Sequence, residues 1–316
     1  MKTLNRSLLF ILILSSFSCD DILEEDITND AIQIVAPIEG TVIEGNTVQF
    51  SWKELDGADD YRIQIIKSNQ VFEVDSLVAT NTFKYILNSG TYQWRVKGVN
   101  FAYNTAYTFP VNFSVEASDD LSIQNVVLLT PSNNFYTNGT SLIFTWSQLE
   151  NATYYSFELI KNLSGEQTVV QEPNITLTSY TANSSVFDED AKYIWKVKAL
   201  NGTSETSYSQ RSIFIDRVQP NQPSLSSPAD QSMETTTVTF NWTNGVDTGN
   251  VKSAITNTIE IASDADFNTV IHLASTQNNT YQYEFGATGT YYWRIKAVDE
   301  ATNESDYSTV RSVVVQ

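Results

Sequence analysis

The six tryptophans of this 316-residue chain fall into two short patterns, and each pattern occurs three times. The first is Phe-x-Trp, at residues 50–52, 144–146 and 240–242. The second is Tyr-x-Trp-[Arg/Lys]-[Val/Ile]-Lys, which begins at Tyr92, Tyr193 and Tyr291. Corresponding tryptophans are 94 to 101 residues apart. A period near one hundred residues predicts one domain type repeated three times.

Large apolar residues alternate with polar ones around both patterns. Phe50 and Trp52 fall on one face of the predicted strand, and Gln49 and Ser51 on the other. Short alternating segments of this kind recur at regular intervals, and helical periodicity is lacking. The sequence therefore predicts an all-β protein of three tandem antiparallel β-sandwiches.

The third and second copies each depart from the common pattern at one place. In the third copy an insertion at 244–250 delays the next strand by six residues. In the second copy, Asp188-Glu189-Asp190-Ala191 replaces the Gly-Thr turn that precedes the Tyr-x-Trp strand in the other two. The turn before that strand is therefore the least regular part of the second copy.

These residues resemble the fibronectin type III family. The resemblance rests on the strand-B tryptophans Trp52, Trp146 and Trp242 and on the Tyr-x-Trp pattern of strand F, and it covers nearly everything after residue 31. It implies immunoglobulin-like domains at 31–117, 122–216 and 220–316 with short linkers, which favour a semi-rigid rod. It also implies that the strand-F tyrosine hydroxyl bonds to the backbone at the preceding corner.

The N-terminus has the features of an export signal. Lys2 and Arg6 precede an apolar core at 8–14, and small residues follow. Seven apolar residues are too few to span a bilayer as a helix, so residues 1–18 are predicted to be a cleaved signal peptide.

The only cysteine, Cys19, follows this signal directly. Residues 16–19 resemble a bacterial lipobox, in which the cysteine is acylated, although Ser16 stands where leucine is usual. The alternative is an ordinary cleaved signal with an incidental cysteine. The acidic run after Cys19 resembles the surface-export signal of Bacteroidetes lipoproteins. Residues 19–30 are thus predicted to be a lipid-anchored tether at the outer membrane, exposed on the cell surface; the alternative reading of the run is a solvated tether alone.

Composition excludes one class of partner. The chain has 18 basic and 37 acidic residues, a net charge of −19, and no Lys/Arg cluster. Nucleic-acid binding needs a basic stripe to displace phosphate counterions, so no nucleic-acid partner is expected.

Repetition itself separates structural from functional aromatic residues. A residue at the same register in all three copies serves the fold, which assigns all six tryptophans, with Tyr107, Tyr208 and Tyr307, to structural roles. Phe101 and Tyr103, in the predicted F–G loop of the first copy, have no aromatic counterparts and are candidate ligand-binding residues. Packing against the neighbouring repeat is the alternative. Phe135 and Tyr136, in the early loop of the second copy, are similar candidates.

No catalytic centre is predicted. His272 is the only histidine and lies in a strand-like run, which argues against a His-based metal site or a catalytic triad. Asp264 with Asp266, or residues 188–190, could in principle hold calcium, but solvated turns explain them better. We expect no catalytic residue, no metal, no small-molecule cofactor and no enzyme activity.

Two classes of function remain open. A rod of three domains suits protein–protein interaction, adhesion or scaffolding at the outer membrane. The alternative is a surface glycan-binding accessory lipoprotein of a polysaccharide-utilisation system. The expected partner is therefore an extracellular protein or a glycan, together with the membrane through Cys19.

Overall fold

The computed structural model describes residues 24–316. The predicted signal peptide at 1–18 and the predicted lipidation site Cys19 lie outside the described residues. The chain divides into two compact units. One contains the described residues up to Val42 with Val48–Tyr85 and Gly90–Ser114, and the other contains Ile43–Thr47, Ile86–Ser89 and Val115–Gln316.

The described residues form 24 strands and one short 3₁₀-helix at Leu121–Ile123, with eight strands to each copy of the repeat. The first copy contains β1 (Ile34–Ala36), β2 (Thr41–Glu44), β3 (Thr47–Trp52), β4 (Asp60–Lys67), β5 (Phe72–Val78), β6 (Thr82–Ile86), β7 (Gly90–Val99) and β8 (Val111–Glu116). The second contains β9 (Leu128–Thr130), β10 (Phe135–Thr137), β11 (Leu142–Trp146), β12 (Tyr154–Asn162), β13 (Glu166–Ile175), β14 (Ser179–Ala182), β15 (Ala191–Leu200) and β16 (Ser209–Ile215). The third contains β17 (Ser224–Ser227), β18 (Ser232–Glu234), β19 (Thr237–Thr243), β20 (Thr256–Ala262), β21 (Val270–Thr276), β22 (Thr280–Glu284), β23 (Gly289–Val298) and β24 (Arg311–Val315).

The three copies share one strand order. Each has a three-stranded sheet, β1-β3-β6, β9-β11-β14 or β17-β19-β22. Each also has a five-stranded sheet, β2-β8-β7-β4-β5, β10-β16-β15-β12-β13 or β18-β24-β23-β20-β21. The predicted all-β fold of three tandem fibronectin type III-like sandwiches is confirmed.

The pairing has one feature that the repeat pattern did not predict. In the second and third copies the other neighbouring strands are antiparallel, but β10 runs parallel to β16, and β18 runs parallel to β24. In the second copy Phe135 pairs with Ile213, and in the third Ser232 pairs with Val313. The first part of each of these two sandwiches is thus joined to its last strand.

The tryptophans fill the interiors, as predicted. Each Phe-x-Trp lies on the middle strand of a three-stranded sheet, and each Tyr-x-Trp lies within a five-stranded sheet. All six indoles are buried, with at most 2% of their surface exposed. The phenylalanine of one pattern meets the tryptophan of the other: the ring centroids of Phe144 and Trp195 are 5.1 Å apart, and those of Phe240 and Trp293 are 4.8 Å apart. Such pairs stabilise a core beyond the area that they bury.

The expected corner hydrogen bond forms in the second and third copies. Tyr193 donates its hydroxyl to Glu189 O at 2.9 Å, and Tyr291 donates to Ala287 O at 3.0 Å. The irregular turn of the second copy therefore keeps this contact. No helix among residues 24–316 is long and apolar enough to cross a bilayer.

Candidate functional site

The loop that joins β7 to β8 in the first copy, residues 100–110, exposes three aromatic side chains. Phe101 is 93% exposed, Phe109 is 92% exposed and Tyr103 is 37% exposed. Large apolar side chains exposed to this degree are costly in water and commonly mark a binding surface. We call Phe101, Tyr103 and Phe109 the aromatic loop.

The backbone under these rings is well ordered by hydrogen bonds. Buried Asn100 accepts the N–H of Tyr103 at Oδ1 (2.7 Å), and its own N–H donates to Tyr103 O (3.0 Å). The Asn100 amide nitrogen also donates to Glu25 O and Gly57 O. Phe101 and Tyr103 therefore project from a preorganised turn, which reduces the entropy lost when a partner binds.

Further along the loop, Tyr107 ties the chain back to strand β7. Its ring lies under the Arg95 guanidinium, 4.5 Å from the ring centroid, and Lys97 lies 5.3 Å away. Equivalent stacking occurs in the other copies, where Tyr208 lies beside Lys196 and Tyr307 beside Arg294. The predicted structural role of these three tyrosines is confirmed.

Sequence reasoning missed Phe109. In the last strand of each sandwich, Phe113, Ile213 and Val313 are the equivalent buried residues. Four positions earlier the copies carry Phe109, Ser209 and Thr309. The same repetition filter that selected Phe101 would therefore have selected Phe109, had the copies been aligned on their last strand.

Phe135 and Tyr136 lie on a strand, not in the early loop that the sequence predicted. They belong to β10, and Tyr136 stacks on Phe214 of β16 at 4.5 Å between centroids. Phe135 is 38% exposed. Tyr136 thus has a packing role in the second sandwich, and Phe135 remains a weaker candidate for binding than the aromatic loop.

Three of the carboxylates that could in principle hold calcium, Asp188, Glu189 and Asp264, have partners within the protein. Asp188 and Glu189 both pair with Lys161 Nζ, at 3.0 and 2.8 Å, and these hydrogen bonds raise the pKa of Lys161. Asp264 accepts the N–H groups of Asn268 and Thr269, which lowers its pKa. These residues stabilise turns.

His272 lies on β21, as expected. Its Nε2 is 2.8 Å from Tyr281 Oη, and burial lowers the pKa of the imidazole. Its neighbours are therefore aromatic side chains of the third sandwich, an arrangement typical of a structural histidine.

A different group of carboxylates comes together in the part of the chain that the structure describes. Asp216, Asp247 and Asp299 are buried. One carboxylate oxygen from each of them can be chosen so that the three oxygens lie within 4.8 Å of one another. Burial raises the pKa of Asp216 to about 6, and Asp247 and Asp299 act in the same direction. We call these three residues the acidic cluster. Sequence reasoning did not find it.

Comparison with known proteins adds likeness of fold only. No family model matches this chain, and no curated protein matches it in sequence. Among solved structures, the FN1–FN3 domains of chicken CNTN1 are 14% identical, with 90% of this chain and 98% of that chain covered and a TM-score of 0.46. The fibronectin(III)-like modules of Clostridium thermocellum CbhA are 13% identical, with 58% and 94% covered and a TM-score of 0.23. Because both scores are below 0.5, the fold assignment rests on strand order and register.

Proposed function

We propose that this chain is a non-catalytic binding protein, anchored by lipid on Cys19 at the outer membrane and displayed on the cell surface. The first of its three sandwiches presents the aromatic loop to a protein partner. The observation that carries the proposal is the exposure of Phe101 and Phe109, each above nine-tenths, on a loop ordered by its own hydrogen bonds.

The chemistry of the aromatic loop favours a protein partner over a glycan. Phe101 and Phe109 have no polar atom, so they gain most by entering an apolar pocket. Sugar binding usually pairs an aromatic face with polar groups that bond the hydroxyls. Of the three exposed rings of the aromatic loop, only that of Tyr103 carries a hydroxyl.

Replacing Phe101 and Phe109 together by alanine is expected to weaken partner binding by about 30-fold or more, since even one central aromatic anchor contributes about 2 kcal/mol or more. Stability should change by less than about 0.5 kcal/mol, because both rings are already in solvent. The measurement is quantitative co-purification of membrane proteins from native outer membranes, with wild type and variant compared at equal load.

Leu177→Ala supplies the matched control. Leu177 is 68% exposed and lies in the second sandwich, so its truncation removes similar apolar surface from another place. The proposal fails if the double variant and Leu177→Ala retain the same proteins in the same amounts, or if the double variant loses thermal stability instead of binding.

The anchor is tested independently. Cys19→Ala removes the only thiol, and we expect the protein to move from the membrane fraction to the soluble fraction, because acyl chains supply the membrane affinity. Protease shaving of intact cells then reports the side of the membrane. Unchanged fractionation would remove the anchor from the proposal, and full protection from protease would place the chain on the periplasmic face.

Glycan capture is the second candidate function. Tyr103 is the feature that favours it. Retardation of the wild-type chain in polysaccharide affinity gels, lost in Tyr103→Ala but kept in the Phe101 and Phe109 variant, would favour this alternative.

A further inference from the structure

The three copies hold the incoming chain at one equivalent position. Asn100, Asn201 and Asp299 each lie eight residues after the strand-F tyrosine. We call the stretch of chain that leads into the first strand of each sandwich the entering segment. In the first two copies the side-chain amide nitrogen donates to a backbone carbonyl of this segment: Asn100 to Glu25 O at 2.9 Å, and Asn201 to Asp119 O at 2.7 Å. A neutral amide thus fastens the entering segment.

The third copy has a carboxylate at this position. Asp299 cannot donate a hydrogen bond when it is ionised, and Asn303 takes over the contact. The Asn303 amide nitrogen donates to Asp216 O at 2.9 Å and to Asp299 Oδ2 at 2.8 Å. The exchange keeps the hydrogen bond to the entering segment and adds a buried carboxyl group.

The entering residue is acidic in all three copies but is buried only in the third. Glu25, Asp119 and Asp216 each lie twelve residues before the proline that follows the first strand segment, at Pro37, Pro131 and Pro228. Glu25 and Asp119 are exposed, whereas Asp216 is fully buried. Asp216 Oδ1 accepts the N–H of Val218, but Oδ2 is buried without a hydrogen-bond partner.

The third carboxylate comes from the insertion that only the third copy has. Asp247 Oδ2 accepts the N–H of Ser253 at 2.7 Å, and Oδ1 is buried without a partner. The insertion is fixed against the entering segment, because Asn221 donates its N–H to Val246 O at 2.9 Å. The acidic cluster therefore contains two buried acceptor oxygens that no donor satisfies.

No positive charge compensates this cluster within residues 24–316. None of the three carboxylates forms a salt bridge there, and the adjacent Arg217 pairs with Asp190 at 3.1 Å. Buried carboxylates are strongly unfavourable unless they are paired, protonated or bound to a metal. Two of these three grouped carboxylates each have a buried oxygen without a hydrogen-bond donor. Like charges this close repel each other, and a bound cation would both offset that repulsion and satisfy those oxygens.

We propose that Asp216, Asp247 and Asp299 bind one divalent cation, Ca²⁺, at the junction between the second and third sandwiches. Carboxylate oxygens are the ligands that hard cations prefer, and Ca²⁺ binds them at about 2.3–2.6 Å in irregular geometry. Two oxygens on one Ca²⁺ are therefore no more than about 5 Å apart, and the three observed oxygens satisfy this limit. Mg²⁺ demands shorter distances and near-octahedral geometry, which suits a cluster from three separate loops less well.

The bound ion would connect the two sandwiches. Asp216 directly follows β16 of the second sandwich, whereas Asp247 and Asp299 belong to loops of the third. The two sandwiches also meet directly, where Asn138 donates to Asn303 Oδ1 at 3.1 Å. Calcium would thus stabilise a contact that already exists, and its removal would loosen that contact first.

Calorimetric titration of the full chain with Ca²⁺, after treatment with EDTA and dialysis, tests the site. We expect one site per chain with a dissociation constant of about 10⁻⁴ M or tighter, and a melting temperature that rises with calcium concentration. Asp299→Asn restores the residue type found at Asn100 and Asn201 and should weaken binding by about 30-fold or more. Asp266→Asn, which removes the same charge from an exposed turn, should bind as the wild type does.

Three outcomes would overturn the proposal: neither heat nor a melting shift with Ca²⁺ in the wild type, equal affinity in Asp299→Asn and Asp266→Asn, or binding of Mg²⁺ in preference to Ca²⁺. If Asp299→Asn does not fold by circular dichroism, Asp247→Asn replaces it, since Asp247 lies in an insertion that the other copies do without. The wild-type titration decides the question independently of either variant.

Discussion

Trp195→Ala is expected to destabilise the second sandwich by about 3–5 kcal/mol, the range for large aromatic deletions in a core. The indole is fully buried on β15 and lies against Phe144 and Phe157. Alanine would leave a cavity in a core that has no disulfide to compensate. A domain of this size is stable by about 5–15 kcal/mol in total, so the variant is expected to be close to unfolding at ordinary temperature.

Scanning calorimetry separates this result from a general effect on the chain. The transition of the second sandwich should fall by more than about 10 °C, while those of the other two remain. Phe109→Ala is the control, because it removes an aromatic ring that is already exposed and should change stability by less than about 0.5 kcal/mol. A loss below about 1 kcal/mol in Trp195→Ala would mean that the indole is not part of the core.

Gly245→Ala is expected to destabilise the third sandwich by about 3 kcal/mol or more, at the upper end of the range for overpacking. A methyl group at this position would lie 1.7 Å from Asn221 O and 2.8 Å from Asn221 C. Both are backbone atoms, so no side-chain rotation can relieve the clash. The insertion must move away from the entering segment, which also breaks the hydrogen bond from Asn221 N–H to Val246 O.

Gly286→Ala is the matched control in the same sandwich. No heavy atom lies within 4 Å of the position that its methyl group would take, and its φ lies outside the left-handed region. The alanine should be neutral or slightly stabilising, within about 1 kcal/mol. Urea unfolding of both variants measures the difference. A Gly245→Ala protein that is as stable as Gly286→Ala would show that the insertion is not seated on the entering segment.

The fold could be predicted from sequence because its main determinants are local and occur three times. The alternation around Trp52, Trp146 and Trp242 fixes which face of each strand is buried, since neighbouring side chains on a strand point to opposite sides. The tyrosine at the corner and the stacked tyrosine after strand F follow from the same repetition. Each copy supports the interpretation of the other two.

The candidate sites could be predicted only in part, because they depend on differences between the copies. Phe101 was found as an aromatic residue without counterparts, whereas Phe109 required an alignment on the last strand. Tyr136 was misplaced in a loop because β10 has only three residues, too few for alternation to be visible. The pattern also carries no sign that β10 runs parallel to β16.

The acidic cluster escaped sequence reasoning for a different reason. Asp216, Asp247 and Asp299 are far apart along the chain and form no recognisable calcium loop. Only the closure of the third sandwich brings the insertion and the F–G loop to the entering segment. In an acidic chain such as this one, individual aspartates carry little information until their burial is known.

The parallel pairing of β10 with β16 and of β18 with β24 determines how these two sandwiches bear a mechanical load. In each of them the two strands lie near opposite ends of the domain sequence. A pull applied between those ends therefore slides the strands past each other lengthwise. All the hydrogen bonds between the two strands are then loaded at the same time, in shear. If the strands were instead pulled apart from a shared end, these hydrogen bonds would break one at a time.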